Sequence, residues 1–131
     1  MIDMKLLEQL CLCNGISSDE GNVRNLIINE IKDCVDDIKT DNLGNLIVFK
    51  KGKKSAKSKL MVSAHMDEVG LMVTDITSDG YLKFDEVGGI DRRVLPGKRV
   101  CVGRNGLNGV IGVKPIHLTN GDEKTAVPKM S

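Results

Sequence analysis

The spacing of apolar residues changes near Gly70, and this change limits the folds that the 131-residue chain can adopt. Before Gly70, apolar residues recur every three or four positions or form continuous runs, as in helices and buried strands. After Gly70, short runs rich in valine and isoleucine alternate with glycine, as in closely spaced strands and turns. We therefore predict an α/β region over residues 1–70 and a β-rich region over residues 71–131.

Two helices are predicted in the first region. Asp3 is suited to cap a helix that runs from Met4 to Cys13. Asn14 and Gly15 follow directly, and this pair favours the end of a helix. A second helix is expected from Val23 to Val35, because its apolar residues fall on one continuous face.

Strand patterns follow the helices. A short extended segment begins at Ile38, and the returning strand Leu46–Phe49 follows a turn at residues 41–45, which are rich in types that tolerate positive φ. The apolar run Leu60–Ala64 has the composition of a buried strand. Together these segments predict the strands of an α/β sheet.

The β-rich region begins with the pattern of a hairpin. Leu71–Thr77 and Tyr81–Phe84 flank the turn Ser78–Gly80. Further on, glycines separate the valine-rich runs Arg99–Val102 and Gly109–Val113. This arrangement predicts a small barrel or sandwich.

Charge and aromatic content argue against a nucleic-acid partner. The formal net charge is +1, and the chain has only two phenylalanines and one tyrosine for base stacking. Lys50–Lys59 carries six lysines among glycine, serine and alanine, so we interpret it as an exposed connecting loop. Binding of nucleic acid by this loop is the less favoured alternative, since no arginine accompanies the lysines.

Targeting signals and disulfides are not predicted. No segment approaches the ~20 apolar residues that a membrane span needs, and the first residues lack a basic segment followed by an apolar one. We therefore expect a cytoplasmic protein with no membrane partner. Four cysteines are expected to be reduced and buried, namely Cys11, Cys13, Cys34 and Cys101.

His65 and Asp67 stand two residues apart at the end of the predicted strand Leu60–Ala64. Alternation along a strand places both side chains on one face. An imidazole beside a carboxylate suits a divalent metal ion, because the neutral nitrogen binds the ion while the carboxylate orients the ring. The alternative is a strand that runs out into a polar turn, with His65 capping the sheet and Asp67 solvated.

The segment Ala64–Gly70, with the sequence Ala-His-Met-Asp-Glu-Val-Gly, resembles the first metal-binding motif of the M42 family of metallo-aminopeptidases. That family includes glutamyl and deblocking aminopeptidases, some of which carry older endoglucanase names. Further segments that are similar to the family are Asn14–Arg24, Asp41–Leu46, Val87–Gly89, Val94–Val100 and Gly109–Leu118. The resemblance therefore extends over nearly the whole chain.

This resemblance implies a fold and a function. Residues 1–70 would form part of the three-layer α/β lobe of a metallopeptidase, and residues 71–131 an incomplete, PDZ-like small β-barrel inserted into that lobe. The implied activity is removal of N-terminal residues from peptides with two divalent metal ions, zinc or cobalt. His65 would ligate one ion and Asp67 would hold its imidazole. The inserted domain usually mediates subunit contact, so a homo-oligomer is implied.

The remaining metal ligands and the general base of the family have no counterpart here. The other histidine, His117, lies between apolar neighbours and is expected to be structural. Because a catalytic zinc ordinarily needs three protein ligands, the isolated chain is expected to be inactive. Five carboxylates are expected to be solvated rather than to act as substitute ligands: Glu68, Asp75, Asp85, Glu86 and Asp91.

Other functions stay open at the level of sequence. The chain is alternatively a non-catalytic interaction module that uses its β-rich region to pair subunits or to dock on a full-length enzyme. Nucleic-acid binding by the lysine-rich loop, with a vestigial His–Asp pair, is a further alternative. Glucan hydrolysis needs two carboxylates that flank the glycosidic bond, and no such pair can be assigned.

Overall fold

The computed structural model describes residues 4–54 and 57–113. They belong to two compact units, Met1–Gly70 and Leu71–Ser131, which we call unit 1 and unit 2. The predicted cap Asp3 and the second histidine, His117, lie outside the described residues. Among the described helices, none is long and apolar enough to cross a membrane.

Unit 1 begins with two helices, α1 (Met4–Leu12) and α2 (Gly21–Ile31), as the apolar spacing predicted. The second helix is shorter than expected, because the backbone N–H of Cys34 donates to Ile31 O at 2.8 Å and closes a tight turn. Val23 on α2 is 7% exposed and is the buried apolar residue of this unit among those described.

An antiparallel pair of strands, β1 (Asp37–Thr40) and β2 (Leu46–Phe49), follows the helices, as predicted. Asp41 organises the turn between them, since its Oδ1 accepts hydrogen bonds from the backbone N–H groups of Leu43 and Asn45, both at 2.9 Å. Hydrogen bonds from Asn45, first from its side chain and then from its backbone, lower the pKa of Asp41. The turn is therefore held by one ionised carboxylate.

The predicted buried strand Leu60–Ala64 is not formed. This segment has no regular secondary structure, and Leu60 and Met61 are 92% and 87% exposed. A strand needs a neighbour that satisfies its backbone N–H and C=O groups, and none of the described strands pairs with this segment. Unit 1, as far as it is described, therefore has two helices and one two-stranded sheet, and the expected three layers are not present.

A short contact joins the connection after α1 to the segment after the lysine-rich loop. Ile16 and Glu68 form an isolated parallel β-bridge, and the N–H of Glu68 donates to Gly15 O at 2.8 Å. Gly70 lies against Ile16 so closely that an added Cβ would stand 2.8 Å from its Cγ1. We call this contact, between residues 15–17 and 66–70, the bridge.

The described residues of unit 2 form two hairpins. The first joins β3 (Gly70–Ile76), which starts at the last residue of unit 1, to β4 (Leu82–Val87), and this pairing confirms the predicted hairpin. The second is the antiparallel pair β5 (Arg99–Val102) and β6 (Leu107–Val110). The two pairs remain separate two-stranded sheets, so the described residues form no closed barrel and the expected PDZ-like domain is not seen.

Among the described residues of unit 2, two apolar side chains are buried, Leu95 at 8% and Ile111 at 7% exposed. Backbone hydrogen bonds of 2.9 Å run from Gly97 N to Ile111 O and from Ile111 N to Lys98 O. Gly97 has a φ of 76°, a conformation that glycine adopts without a steric penalty. These bonds hold the segment before β5 beside the residue that follows β6.

The cysteines do not have the burial that their apolar neighbours predicted. Cys11, Cys34 and Cys101 are exposed, Cys13 is half-buried, and none of the four forms a disulfide. Helix α1 buries none of its residues, so its apolar stripe has little to pack against among the described residues. The thiols are reduced, as expected, but they are not part of a core.

Replacement of Gly15 tests the packing of the bridge. In Gly15→Ala the new Cβ would stand 2.5 Å from Cγ2 of Val23, a stiff β-branched side chain on a helix. We expect a loss of about 1–3 kcal/mol in the free energy of unfolding, the usual cost of overpacking. Gly21→Ala is the matched control, because its Cβ would meet only Arg24 Nη2 at 3.8 Å. Urea denaturation followed by circular dichroism measures both, and equal stabilities would contradict the packing described here.

Candidate functional site

His65 and Asp67 are in direct contact, although the strand expected to place them is absent. Nδ1 of His65 lies 2.9 Å from the backbone oxygen of Asp67 and 3.1 Å from its Oδ1. The contact is therefore made by local folding of three consecutive residues, in which the ring turns back on the following carboxylate. It is not made by alternation along a strand.

The acceptors around His65 determine which of its nitrogens carries a proton. A backbone carbonyl oxygen only accepts hydrogen bonds, so Nδ1 must be the donor in this contact. In the neutral ring Nε2 then carries the lone pair. Because the side chain is 86% exposed, this lone pair is accessible to a ligand. In metal-ligating histidines, the nitrogen that does not bind the metal is commonly held by such an acceptor.

Asp67 is held from its other side by Ser17. The hydroxyl of Ser17 donates a short hydrogen bond to Oδ2 of Asp67, whereas Oδ1 faces His65. The pKa of Asp67 is lowered, first by the bond from Ser17, then by its own backbone N–H and by His65, with partial burial acting in the opposite direction. The ionised carboxylate thus accepts from two side chains at once.

Analysis of the sequence did not identify Ser17 as a site residue. It lies 50 positions before Asp67, and only the bridge brings the two together. The sequence pointed to Ser17 only indirectly, because Ser17 belongs to the segment Asn14–Arg24, which is similar to the corresponding segment of the family. A lone serine after a helix gives no further indication of its partner.

A cleft of about 310 Å³ lies beside the His–Asp pair within unit 1. Its walls come from α1 and α2 and from the segment His65–Glu68. The apolar lining includes Leu10, Val23 and Ile27, and Cys13 contributes a half-buried thiol. The site therefore combines a solvent-accessible imidazole nitrogen and a carboxylate with an apolar cleft.

The carboxylates considered as substitute ligands have other contacts or are exposed. Oε1 of Glu68 accepts from Gly15 N at 3.4 Å, and Asp85 is exposed. Among the described residues of unit 2, three of these carboxylates form ion pairs: Asp75 with Lys83 at 3.7 Å, Glu86 with Arg92 at 2.6 Å, and Asp91 with Arg93 at 2.6 Å. Hydrogen bonds from Arg93 lower the pKa of Asp91 to about 2.

The donor set fits one part of a metal centre. The described residues supply an open nitrogen on His65 and an acceptor, Asp67, that fixes its other nitrogen. They contain no group of three or more histidine, cysteine, aspartate or glutamate side chains placed to hold a metal ion. Residues 4–54 and 57–113 by themselves therefore do not complete a catalytic metal site, which ordinarily has three protein ligands.

The chain matches known proteins over most of its length. A family model described as M42 glutamyl aminopeptidase matches residues 44–131. A lysyl aminopeptidase of Pyrococcus furiosus is 37% identical over 121 residues, which cover 90% of this chain and 34% of that protein. The chain spans about a third of the length of the curated relatives it matches.

Solved structures share the fold as well as the sequence. A TET aminopeptidase from a marine sediment archaeon of the Thaumarchaeota is similar with a TM-score of 0.87 and 31% identity, over 97% of this chain and 35% of that chain. A TET peptidase of Pyrococcus horikoshii, described as assembling into a tetrahedron or a large octahedral shell, has a TM-score of 0.78 and 43% identity, over 95% of this chain and 37% of that chain.

The pKa of Asp67 tests the bond from Ser17. Since that bond is the largest cause of the lowered pKa, Ser17→Ala should raise the pKa of Asp67 toward 3.8, the ordinary aspartate value. A lowered pKa in the folded state stabilises the protein above pH 3.8, and this contribution is lost as the pH falls through the lowered value.

The measurement is a titration of side-chain carboxyl ¹³C shifts. Asp41 is the internal control, because its pKa is lowered by Asn45 and not by Ser17. An unchanged midpoint for Asp67 in Ser17→Ala, or an equal shift at Asp41, would contradict the assignment of the cause.

Proposed function

The chain belongs to the M42 glutamyl aminopeptidase family, and on that premise we propose that it carries the first metal ligand of a metal-dependent aminopeptidase. His65 is the proposed ligand and Asp67 the residue that orients it. The substrates would be peptides from which N-terminal residues are removed. The remaining ligands and the general base are proposed to lie in the part of the relatives that this chain does not match.

The observation that supports this proposal is the pair of acceptors at Nδ1 of His65. Two acceptors at Nδ1 leave Nε2 unprotonated in the neutral ring, and the side chain is 86% exposed. A solvated surface histidine does not require an acceptor at Nδ1. A metal-ligating histidine does require one, because the proton held on Nδ1 leaves Nε2 as the nitrogen that binds the metal.

Each of the described site residues has a distinct role in this proposal. When two divalent ions, zinc or cobalt, are bound, they supply the polarised carbonyl and the activated water of peptide hydrolysis. His65 would hold one of these ions through Nε2. Asp67 keeps the proton on Nδ1 and, as an ionised carboxylate, compensates positive charge on the ring. The apolar cleft beside them offers a surface for a substrate side chain.

A homo-oligomer formed through unit 2 is part of the same proposal. The TET peptidase of Pyrococcus horikoshii is described as forming large shells, and it is 43% identical to this chain. On the first hairpin of unit 2, Met72 and Ile76 are 55% and 67% exposed, which is typical of a surface that a partner covers. A cytoplasmic location stays a prediction of the sequence.

The same apolar surface favours a second candidate, a non-catalytic interaction module. In that case the chain uses unit 2 to pair with copies of itself or with a full-length relative. The His–Asp pair would then have no catalytic role. Activity and assembly separate the two candidates, so each is measured on its own.

Activity is tested with a panel of aminoacyl chromogenic substrates, added zinc or cobalt, and the purified 131-residue chain. We expect no hydrolysis above the chelator-treated control, because one ligand does not hold a catalytic ion. Hydrolysis that disappears both with chelator and in His65→Ala would show that further ligands come from elsewhere, for example from another subunit. That result would contradict the expected inactivity while supporting the role of His65.

Assembly is tested by light scattering. We expect discrete species at multiples of the 14.3 kDa chain mass. Ile76→Lys should shift them toward the monomer, because a buried lysine disrupts an apolar interface. Asp79→Lys, in the turn of the same hairpin, adds a lysine outside the apolar face and is the matched control. A wild-type chain that is entirely monomeric would rule out assembly through unit 2 in the isolated chain.

A further inference from the structure

The environment of Asp67 extends beyond the His–Asp pair. Its Oδ1 faces Nδ1 of His65 at 3.1 Å, and its Oδ2 accepts from the hydroxyl of Ser17. Asp67 is thus the middle member of a chain of three side chains. Ser17 is the only one of the three for which the motif Ala64–Gly70 provides no position.

Ser17 is not a freely placed surface serine. The residues before it, Gly15 and Ile16, are tied to Glu68 by the backbone bond of 2.8 Å and the parallel β-bridge. The side chain of Ile16 fills the space above Gly70. Ser17 therefore reaches Asp67 from a segment that is anchored at Glu68 and Gly70, one and three residues after Asp67.

Asp67 needs such an anchor to stay in place. Its side chain is 38% exposed, so water competes for both oxygens, and a carboxylate turns easily about its last torsion. A hydroxyl that donates to Oδ2 from one side directs Oδ1 toward the opposite side, where His65 lies. Without that donor, Oδ1 is not restricted to the direction of Nδ1.

We propose that Ser17 is a positioning residue, which holds the carboxylate of Asp67 against Nδ1 of His65 and so keeps Nε2 unprotonated and open to a ligand. The inference deepens the proposed function, since it rests on His65 as the metal ligand. Loss of such a supporting contact typically weakens metal binding by roughly 10–100-fold. Its structural consequence, however, is visible in the imidazole itself, with neither metal nor substrate present.

The experiment compares the tautomer of His65 in four proteins: the full chain, Ser17→Ala, Ser17→Thr and Ser18→Ala. Long-range ¹H–¹⁵N spectra of histidine-labelled protein, recorded at a pH where the ring is neutral, distinguish the two tautomers. The chain has only two histidines, and His65→Ala assigns the signals. The dominant form in the wild type is expected to carry its proton on Nδ1.

In Ser17→Ala we expect the Nε2–H form, which a histidine side chain favours in water, to increase at least about twofold in population, because Asp67 no longer holds Nδ1 as firmly. Ser17→Thr keeps the hydroxyl and should restore the wild-type spectrum. Ser18→Ala removes a hydroxyl one residue away and should leave the tautomer unchanged. A wild-type tautomer ratio in Ser17→Ala would overturn the proposal.

Stability measurements distinguish unfolding of the protein from loss of the position of Asp67 beside His65. Unfolding midpoints of all four proteins are measured under the same conditions, and a tautomer shift counts only in a protein that is folded at the temperature of the spectrum. Where Ser17→Ala does not fold, Ser17→Cys is used, because a thiol of similar size is a weak donor. It should shift the tautomer in the same direction, and a wild-type ratio there would overturn the proposal equally.

The outcome is independent of the aminopeptidase proposal. If no metal binds and no peptide is cleaved, the tautomer of His65 still reports whether Ser17 acts through Asp67. Conversely, an unchanged tautomer in Ser17→Ala leaves His65 as a candidate ligand and removes only the role given to Ser17.

Discussion

The bridge between residues 15–17 and 66–70 is the contact on which the candidate site of unit 1 depends. It joins segments that are about 50 residues apart through one backbone hydrogen bond, one β-bridge and the packing of Ile16 on Gly70. The two glycines are essential to this approach, because a Cβ at Gly15 would meet Val23 and one at Gly70 would meet Ile16. Without the bridge, Ser17 and Asp67 belong to unconnected parts of the chain.

The described residues of both units bury little apolar surface. Among the described residues, three apolar side chains are buried, whereas large ones such as Leu60 and Met61 are almost fully exposed. Each buried side chain of this size contributes about 1.5–3 kcal/mol, so three of them make a small core. An apolar surface of this extent is typical of a chain that associates with further protein, and the chain spans about a third of the length of its relatives.

The candidate site does not depend on a large core, because its geometry is local. His65 and Asp67 are two residues apart, and both acceptors at Nδ1, the backbone oxygen and Oδ1, belong to Asp67 itself. This explains why the two side chains are in contact even though the strand predicted before them is not formed. Ser17 was missed because a donor that arrives through a tertiary contact has no fixed spacing from its acceptor.

The sequence by itself determined the local elements: two helices from apolar spacing, the hairpins from strand and turn residues, the contact between His65 and Asp67, and the family. The tertiary structure decided which of these elements are paired or buried. Leu60–Ala64 is exposed because no described strand pairs with it, and Cys11 is not in a core because α1 buries none of its residues. Periodicity reports which residues suit burial, but burial itself requires a partner surface, and only the folded chain shows whether one is present.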